Sequence, residues 1–174
     1  SAQERARAGQ KYEDILAFYY KDTALYTVGT YDTAPRIKAE GCTFQSCGIS
    51  GIKPGTTTEK LLGKLQSDGA LSIIDKKGAK KEGTLCTGDS VRNTYDNGLA
   101  IFDLPIVIYG DVDGNGKIDK DDIAALQKHL IRSSILGGPY LIAADVNHDE
   151  TVDIMDMIRL IQYVSDDAKI TQED

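Results

Sequence analysis

The chain has 174 residues, 41% of them hydrophobic and 27% charged, with no tryptophan. No apolar run approaches the roughly 18 residues of a membrane span, and the mixture is too rich in apolar residues for a low-complexity disordered chain. The net charge of −7 is unevenly placed: residues 1–107 hold 14 Lys/Arg against 13 Asp/Glu, residues 108–165 hold 5 against 10, and residues 166–174 hold 1 against 4. A nucleic-acid partner would demand a basic footprint, and this distribution is the opposite.

The first residues show no targeting pattern and read as the inside of a helix, so the chain is expected to be a piece of a longer protein. Helices are predicted over 2–8 and 12–20, broken at Gly9, with Tyr12, Ile15, Leu16 and Tyr19 on one face. From Thr27 to Ile52 the signals change to Gly, Thr, Pro and Cys, with short extended pieces. A turn at Gly51–Thr56 leads into a predicted helix over 57–66 carrying Leu61, Leu62 and Leu65. A strand is predicted at 71–75, a basic turn at 76–83, and two further strands at 85–93 and 99–109. Asp96-Asn97-Gly98 between the last two is a hairpin signal. The middle block, 36–107, thus reads as a small α+β module, without paired acids, a nucleophile–base set or a phosphate loop. Its three cysteines, Cys42, Cys47 and Cys86, have no histidine near them and make a poor zinc set. Cys42 and Cys47 are close enough in sequence to close a small disulfide, leaving Cys86 free.

The acidic third contains an internal repeat. Asp111-Val-Asp-Gly-Asn-Gly-Lys-Ile-Asp-Lys-Asp-Asp122 aligns, at an offset of 34 residues, with Asp145-Val-Asn-His-Asp-Glu-Thr-Val-Asp-Ile-Met-Asp156. Both runs place Asp or Asn at positions 1, 3, 5 and 9 and a carboxylate at position 12. That is the spacing of an EF-hand calcium loop, in which alternate side chains of a tight turn supply hard oxygen ligands. The candidate ligands are Asp111, Asp113, Asn115, Asp119 and Asp122 with the Lys117 carbonyl, and Asp145, Asn147, Asp149, Asp153 and Asp156 with the Thr151 carbonyl. Two calcium ions are expected. Ile118 and Val152, at position 8, are the apolar residues suited to back-to-back pairing of the loops. Two features depart from the EF-hand pattern. Position 12 is Asp rather than Glu, one methylene shorter. Position 6 of the second loop is Glu150 where glycine normally allows the turn. A non-glycine residue at positive φ costs about 1 kcal/mol, so the second site is predicted to be the weaker.

A full EF-hand has a long helix entering each loop. Here the first loop is entered by strand-like, proline-containing Phe102–Gly110, and the second by Gly137–Ala144, with room for about one turn after Pro139. Only the exiting helices, 121–132 and 155–165, are full. These half-motifs resemble the type I dockerin family, through Asp111-Val-Asp-Gly-Asn-Gly116 and Ala143-Ala-Asp-Val-Asn147, over about residues 108–165. The resemblance implies an all-α, calcium-dependent fold of two EF-hand-like loop–helix repeats. It also implies docking onto a cohesin of a scaffolding protein, by which secreted or surface proteins of bacteria join cellulosome-like complexes. A monomer forming a 1:1 heterodimer is the expected state. A calcium sensor that opens on helical targets is disfavoured by the missing entering helices.

The two exiting helices share a core stripe, Ile123, Leu126 and Leu130 in one and Met157, Leu160 and Val164 in the other. At positions 10, 11, 14 and 17 they differ: Lys120, Asp121, Ala124 and Gln127 in the first repeat face Ile154, Met155, Ile158 and Ile161 in the second. An apolar face that wide marks either a buried helix or a partner surface. In the dockerin family positions 10–11 and 17–18 contact the cohesin, which implies a contact face of Ile154, Met155, Ile158, Ile161 and Gln162, the first four its apolar anchor. Lys128, Arg132 and Arg159 would form a polar rim. Lys120 and Asp121 are the contacts if the orientation is reversed.

The middle module resembles small domains that precede dockerins, through Gly51-Ile-Lys-Pro-Gly-Thr-Thr57, Cys86-Thr-Gly88 and the strand entering Tyr109-Gly-Asp. The absence of a Ser/Gly/Pro-rich hinge favours a bracing role. Residues Ser1–Leu25 resemble the C-terminal end of the stage II sporulation protein D family, through Ser-Ala-Gln-Glu-Arg-Ala-Arg-Ala-Gly and Lys11-Tyr-Glu-Asp-Ile-Leu-Ala-Phe-Tyr-Tyr20. That family acts on peptidoglycan glycan strands, so the alternative reading is the end of such an enzyme or enhancer, with the dockerin as its address tag. No catalytic residue carries over, and the chain itself is not expected to be an enzyme. The expected architecture is α+β and modular: a helical remnant at 1–35, a bracing α+β module at 36–107, and a dockerin at 108–174 packed on it. The acidic tail is expected to be solvated. Without metal the carboxylates repel one another, so chelation is expected to unfold 108–165 and leave 36–107 largely intact.

Overall fold

The computed structural model describes residues 26–27, 36–39, 41–45, 48–67, 69–94, 100–166 and 169–172. The helices expected at 2–8 and 12–20, the sporulation-protein resemblance they carry, the Asp96-Asn97-Gly98 turn and Cys47 lie outside the described residues.

The first half is built of short strands. β1 (Tyr26–Thr27), β2 (Arg36–Ala39) and β5 (Leu65–Ser67) form one antiparallel sheet in the order β1-β2-β5, and β3 (Thr43–Gln45) pairs with β4 (Gly48–Ser50). β6 (Ala70–Ile74), β7 (Ser90–Thr94) and β8 (Ala100–Pro105) form a three-stranded antiparallel sheet. The alternation in β7 is clear: Val91 and Asn93 are buried while Ser90, Arg92 and Thr94 turn outward. Arg92 sits opposite Asp103 of β8 and makes two hydrogen bonds to its carboxylate, both at 2.7 Å.

Three predicted elements are shorter than their apolar patterns suggest. The helix expected over 57–66 is α1 (Thr58–Leu62), capped by the Thr57 hydroxyl and ended at Gly63. Leu65 remains buried, but as part of β5. The strand expected from 85 begins only at Ser90, because Cys86–Asp89 fold into a turn in which the Asp89 carboxylate accepts the Cys86 N–H. The strand expected over 99–109 ends at Pro105, which has no N–H to give a neighbour; Ile106 then bridges Ile49 in parallel. Ile49, Leu61, Ile73, Leu85, Val91, Ile106 and Ile108 form the core of this half. Cys42 packs at its edge, and burial pushes its thiol pKa up.

The second half is helical: α2 (Lys120–Leu130), α3 (Pro139–Ala144) and α4 (Ile154–Val164). Val112, Leu126, Ala144 and Leu160 are its buried centre, with Ile118, Ile123, Leu130, Val152 and Met157 packed around them. Burial of a leucine such as Leu126 or Leu160 contributes about 1.5–3 kcal/mol. No helix among the described residues is long and apolar enough to cross a membrane.

In the tail Asp166 is exposed, but two uncharged residues are held against the fold. Ile170 packs on the helical core, and Gln172 is 8% exposed. The Gln172 amide accepts the Tyr109 N–H and donates to the Tyr109 carbonyl, each at 2.9 Å. The acidic residues around it hid an apolar anchor and an amide clasp.

Candidate metal loops and docking face

Both acidic runs fold as tight loops that end by capping a helix. In the first, Asp111 is fully buried, and its Oδ1 accepts the N–H groups of Asn115 (2.9 Å) and Gly116 (3.1 Å). Asp113 and Asn115 each accept a bond from the backbone two residues on. Asp119 is the N-cap of α2, accepting the Asp121 N–H, and Asp122 closes the loop. One Asp122 oxygen accepts Val112 N–H (2.7 Å) and Asp113 N–H (3.0 Å), and the other accepts Asp119 N–H (2.8 Å). The residues at positions 9 and 12 therefore form a capping box as well as a candidate ligand pair.

The second loop repeats this pattern, with the N–H bonds of positions 5 and 3 lengthened to 3.2 Å from 2.9 and 3.0 Å. Asp145 accepts Asp149 N–H at 3.2 Å and Glu150 N–H at 3.0 Å; Asn147 and Asp149 receive the N–H groups of Asp149 and Thr151. Asp153 caps α4, and Asp156, buried, accepts Asn147 N–H at 3.2 Å and Asp153 N–H at 2.9 Å. Glu150 has φ 67°, the left-handed value that its position demands, and His148 has φ 60°. Glycines fill both places in the first loop, Gly114 and Gly116. Relief of one such penalty, about 1 kcal/mol, is worth roughly fivefold in affinity. Glu150→Gly is therefore expected to tighten cation uptake by the second loop about fivefold, measured by calorimetry with the first loop disabled by Asp113→Ala. Unchanged affinity would show that this strain does not limit the site.

The donor chemistry suits a hard cation. Asp111, Asp113 and Asp122 present oxygens that all lie within 4.8 Å of one another. Among the described residues no other three acidic groups meet so closely. Burial pushes the Asp122 carboxyl up to about 6, and the charges of Asp113 and Asp111 push the same way against the N–H groups of Asp119 and Asp113. Burial likewise raises Asp111 and Asp156. A carboxylate cluster that resists ionising alone is one that a divalent cation relieves. Lys117 and Thr151, whose carbonyls complete the candidate sets, have exposed side chains, as do Asn115 and Asp149; Asp113, Asp119, Asp145, Asn147 and Asp153 are half-buried.

The candidate docking residues lie on the surface. Ile154, Met155, Ile158 and Ile161 of α4 are 51%, 52%, 40% and 41% exposed, while Leu160 on the opposite stripe is fully buried. The width of the apolar face thus does not come from burial in this chain. Gln162 and Arg159 are exposed beside them, and Lys120, Asp121, Lys128 and Arg132 are exposed on and after α2. Sequence reading missed the contacts that reach the loops from elsewhere: the N–H of Thr87, the Gln172 clasp, and the Tyr109 ring edge-on to His148 with centroids 4.2 Å apart. None carries a local signal beyond the turn-forming Thr87-Gly88 step.

Comparison with known proteins follows the same division. Residues 109–165 match the dockerin type I domain family. No curated protein matches the chain. Among solved structures it is similar to a chain in the complex of the third cohesin of ScaC with the ScaB dockerin, mutated in its N-terminal helix, from Acetivibrio cellulolyticus, described as displaying a type I interaction. The identity is 28%, over 38% of this chain and 93% of that one, with a TM-score of 0.35, too low for a shared overall shape. Two loops of one pattern, each capping the helix it leads into, lie within the matched span: residues 109–165 are a type I dockerin domain.

Proposed function

We propose that this chain is a non-catalytic, calcium-dependent docking module that binds a cohesin on a bacterial scaffolding protein outside the cell or at its surface. Two calcium ions, one in each loop, set the pose of α2 and α4. The observation that carries the reading is the dockerin domain together with the exposed Ile154, Met155, Ile158 and Ile161 on the helix that the second loop caps. A contiguous apolar face of this kind, rimmed by Arg159 and Gln162, suits a partner surface. The second repeat is the anchor, because the matching positions of the first repeat are Lys120, Asp121, Ala124 and Gln127, which offer no comparable apolar face. The residues at positions 1, 3, 5, 9 and 12 of each loop, with the carbonyls of Lys117 and Thr151, are the ligands. Asp111 and Asp156 are buried and cannot be solvated as bare charges without cost, which a bound cation offsets.

The test is capture of the purified chain by a panel of immobilised cohesins in calcium and in chelator. Retention by at least one cohesin in calcium, lost in chelator, is the expected result. Equal retention in both, or none on any cohesin, would remove the reading.

A further inference from the structure

The first loop has a neighbour that the second lacks. The turn at Cys86–Asp89, which belongs to the α+β half, lies across it. Thr87 donates its N–H to Asp111 Oδ2 at 2.7 Å, so the second oxygen of this buried carboxylate is held from outside the loop. The Thr87 hydroxyl also donates to Ile108 O (3.2 Å) and accepts from Ile108 N–H (3.1 Å), fixing the chain just before the loop begins. The two loop glycines are where the approach is closest. A Cβ on Gly114 would lie 2.6 Å from the Thr87 carbonyl, and one on Gly116 would lie 2.9 Å from both Cys86 Sγ and the Leu85 carbonyl. Tyr140 of α3 fills the space between Gly88 and Gly114. The turn itself is tied down by Asp89, whose Oδ2 accepts Cys86 N–H at 2.8 Å and pairs with Lys81, and whose backbone holds Ile106 N–H at 2.7 Å. At the second loop, among the described residues, Asp145 is held by the N–H groups of Asp149 and Glu150, both within that loop.

We infer that the Cys86–Asp89 turn is a positioning element of the first calcium site, with Thr87 N–H orienting Asp111 and Asp89 holding Thr87 in place. The inference rests on the calcium reading of the loops. A ligating carboxylate whose other oxygen is held by a fixed donor needs no reordering when the ion arrives. The α+β half thereby contributes to metal affinity in one repeat and not in the other. Thr87 and Asp89 touch no ligand oxygen of the second loop, so their effect is confined to the first. It also explains why glycine is required at positions 4 and 6 of the first loop: backbone from the other half lies against both.

The experiment is a calcium titration of the whole chain followed by backbone amide NMR, reading Gly116 for the first loop and Glu150 for the second. Loss of an outer partner of a metal ligand weakens affinity about 10- to 100-fold. Asp89→Ala is expected to weaken the Gly116 transition at least tenfold and leave the Glu150 transition unchanged. Asp89→Asn keeps an acceptor for Cys86 N–H and is expected to restore most of the loss. In the unsubstituted chain the Thr87 amide is expected to move in step with Gly116. A general loss of stability would weaken both transitions equally, and that result overturns the inference, as does a Gly116 transition unmoved by Asp89→Ala. Should Asp89→Ala not fold, the Thr87 amide still decides: if it is silent or follows Glu150, the inference fails. If neither loop of the unsubstituted chain takes up calcium, the calcium reading itself is what fails.

Discussion

Ile154→Asp together with Met155→Asp is expected to abolish cohesin binding while both loops still take up calcium. The two side chains are half exposed at the first two positions of α4 past the Asp153 cap, and neither helps fill the core around Leu160. Their replacement therefore leaves folding nearly untouched, whereas a carboxylate in the centre of an interface is desolvated without a partner. Central interface residues are worth about 2 kcal/mol or more each, so the pair is expected to cost roughly a thousandfold in Kd. Surface binding measurements against a cohesin that captures the unsubstituted chain provide the readout, with calorimetry reporting calcium. Lys120→Ala together with Asp121→Ala is the control. Should those be the damaging ones, the docking orientation is reversed and the first repeat is the anchor.

The second large effect is metal removal. Chelation is expected to unfold α2 and α4 and to leave the β6–β7–β8 sheet protected from hydrogen exchange. Three carboxylates brought within 4.8 Å and partly out of water are tolerable only when neutralised. The α+β core stands on Ile49, Leu61, Leu85, Val91 and Ile106, and among its described residues no carboxylate cluster destabilises it. The boundary will not be sharp, since the Cys86–Asp89 turn leans on the first loop and is expected to open with it. The pH dependence has a definite sign. Asp122 titrates at about 6 in the fold against an ordinary 3.8, so the calcium-free fold binds this proton more tightly than the unfolded chain does. Its contribution is fully present below 3.8 and is lost as pH rises through 6. The calcium-free helices are thus expected to melt at a higher temperature at pH 5 than at pH 7.5, and the calcium-loaded form to show the reverse trend as protons compete for the ligands. A far-ultraviolet circular dichroism signal unchanged by chelator at pH 7.5 would contradict this account.

The two tight acidic loops, each ending as the cap of a helix, were legible from sequence. A hard cation needs oxygens at fixed steps along a turn, so Asp111–Asp122 and Asp145–Asp156 announce themselves by spacing, and their offset of 34 residues marks the repeat. The positive φ of Glu150 follows from its position in that frame. The four exposed residues of α4 were legible by subtraction, because two helices of one pattern need only one core stripe. What stayed hidden depends on partners far away in sequence. Leu65 looks helical in its local apolar pattern, and only the pairing of β5 with β2 makes it a strand. Residues 85–89 carry strand-like composition, yet the Asp89 carboxylate competes for Cys86 N–H and bends them. Gln172 sits among charged neighbours with no periodicity, and its two bonds reach back to Tyr109, 63 residues earlier.

That last pair has a consequence for the order in which the domain assembles. In an unstructured chain, drawing together two residues 63 apart costs several kcal/mol of loop entropy. Two neutral hydrogen bonds return only about 1 kcal/mol each, so they cannot bring about that encounter by themselves. The clasp closes only after the helices have already carried Ile170 and Gln172 back to the start of the first loop. It is a late latch rather than a nucleus, and in a two-state domain latches of this kind slow unfolding while leaving the folding rate nearly unchanged.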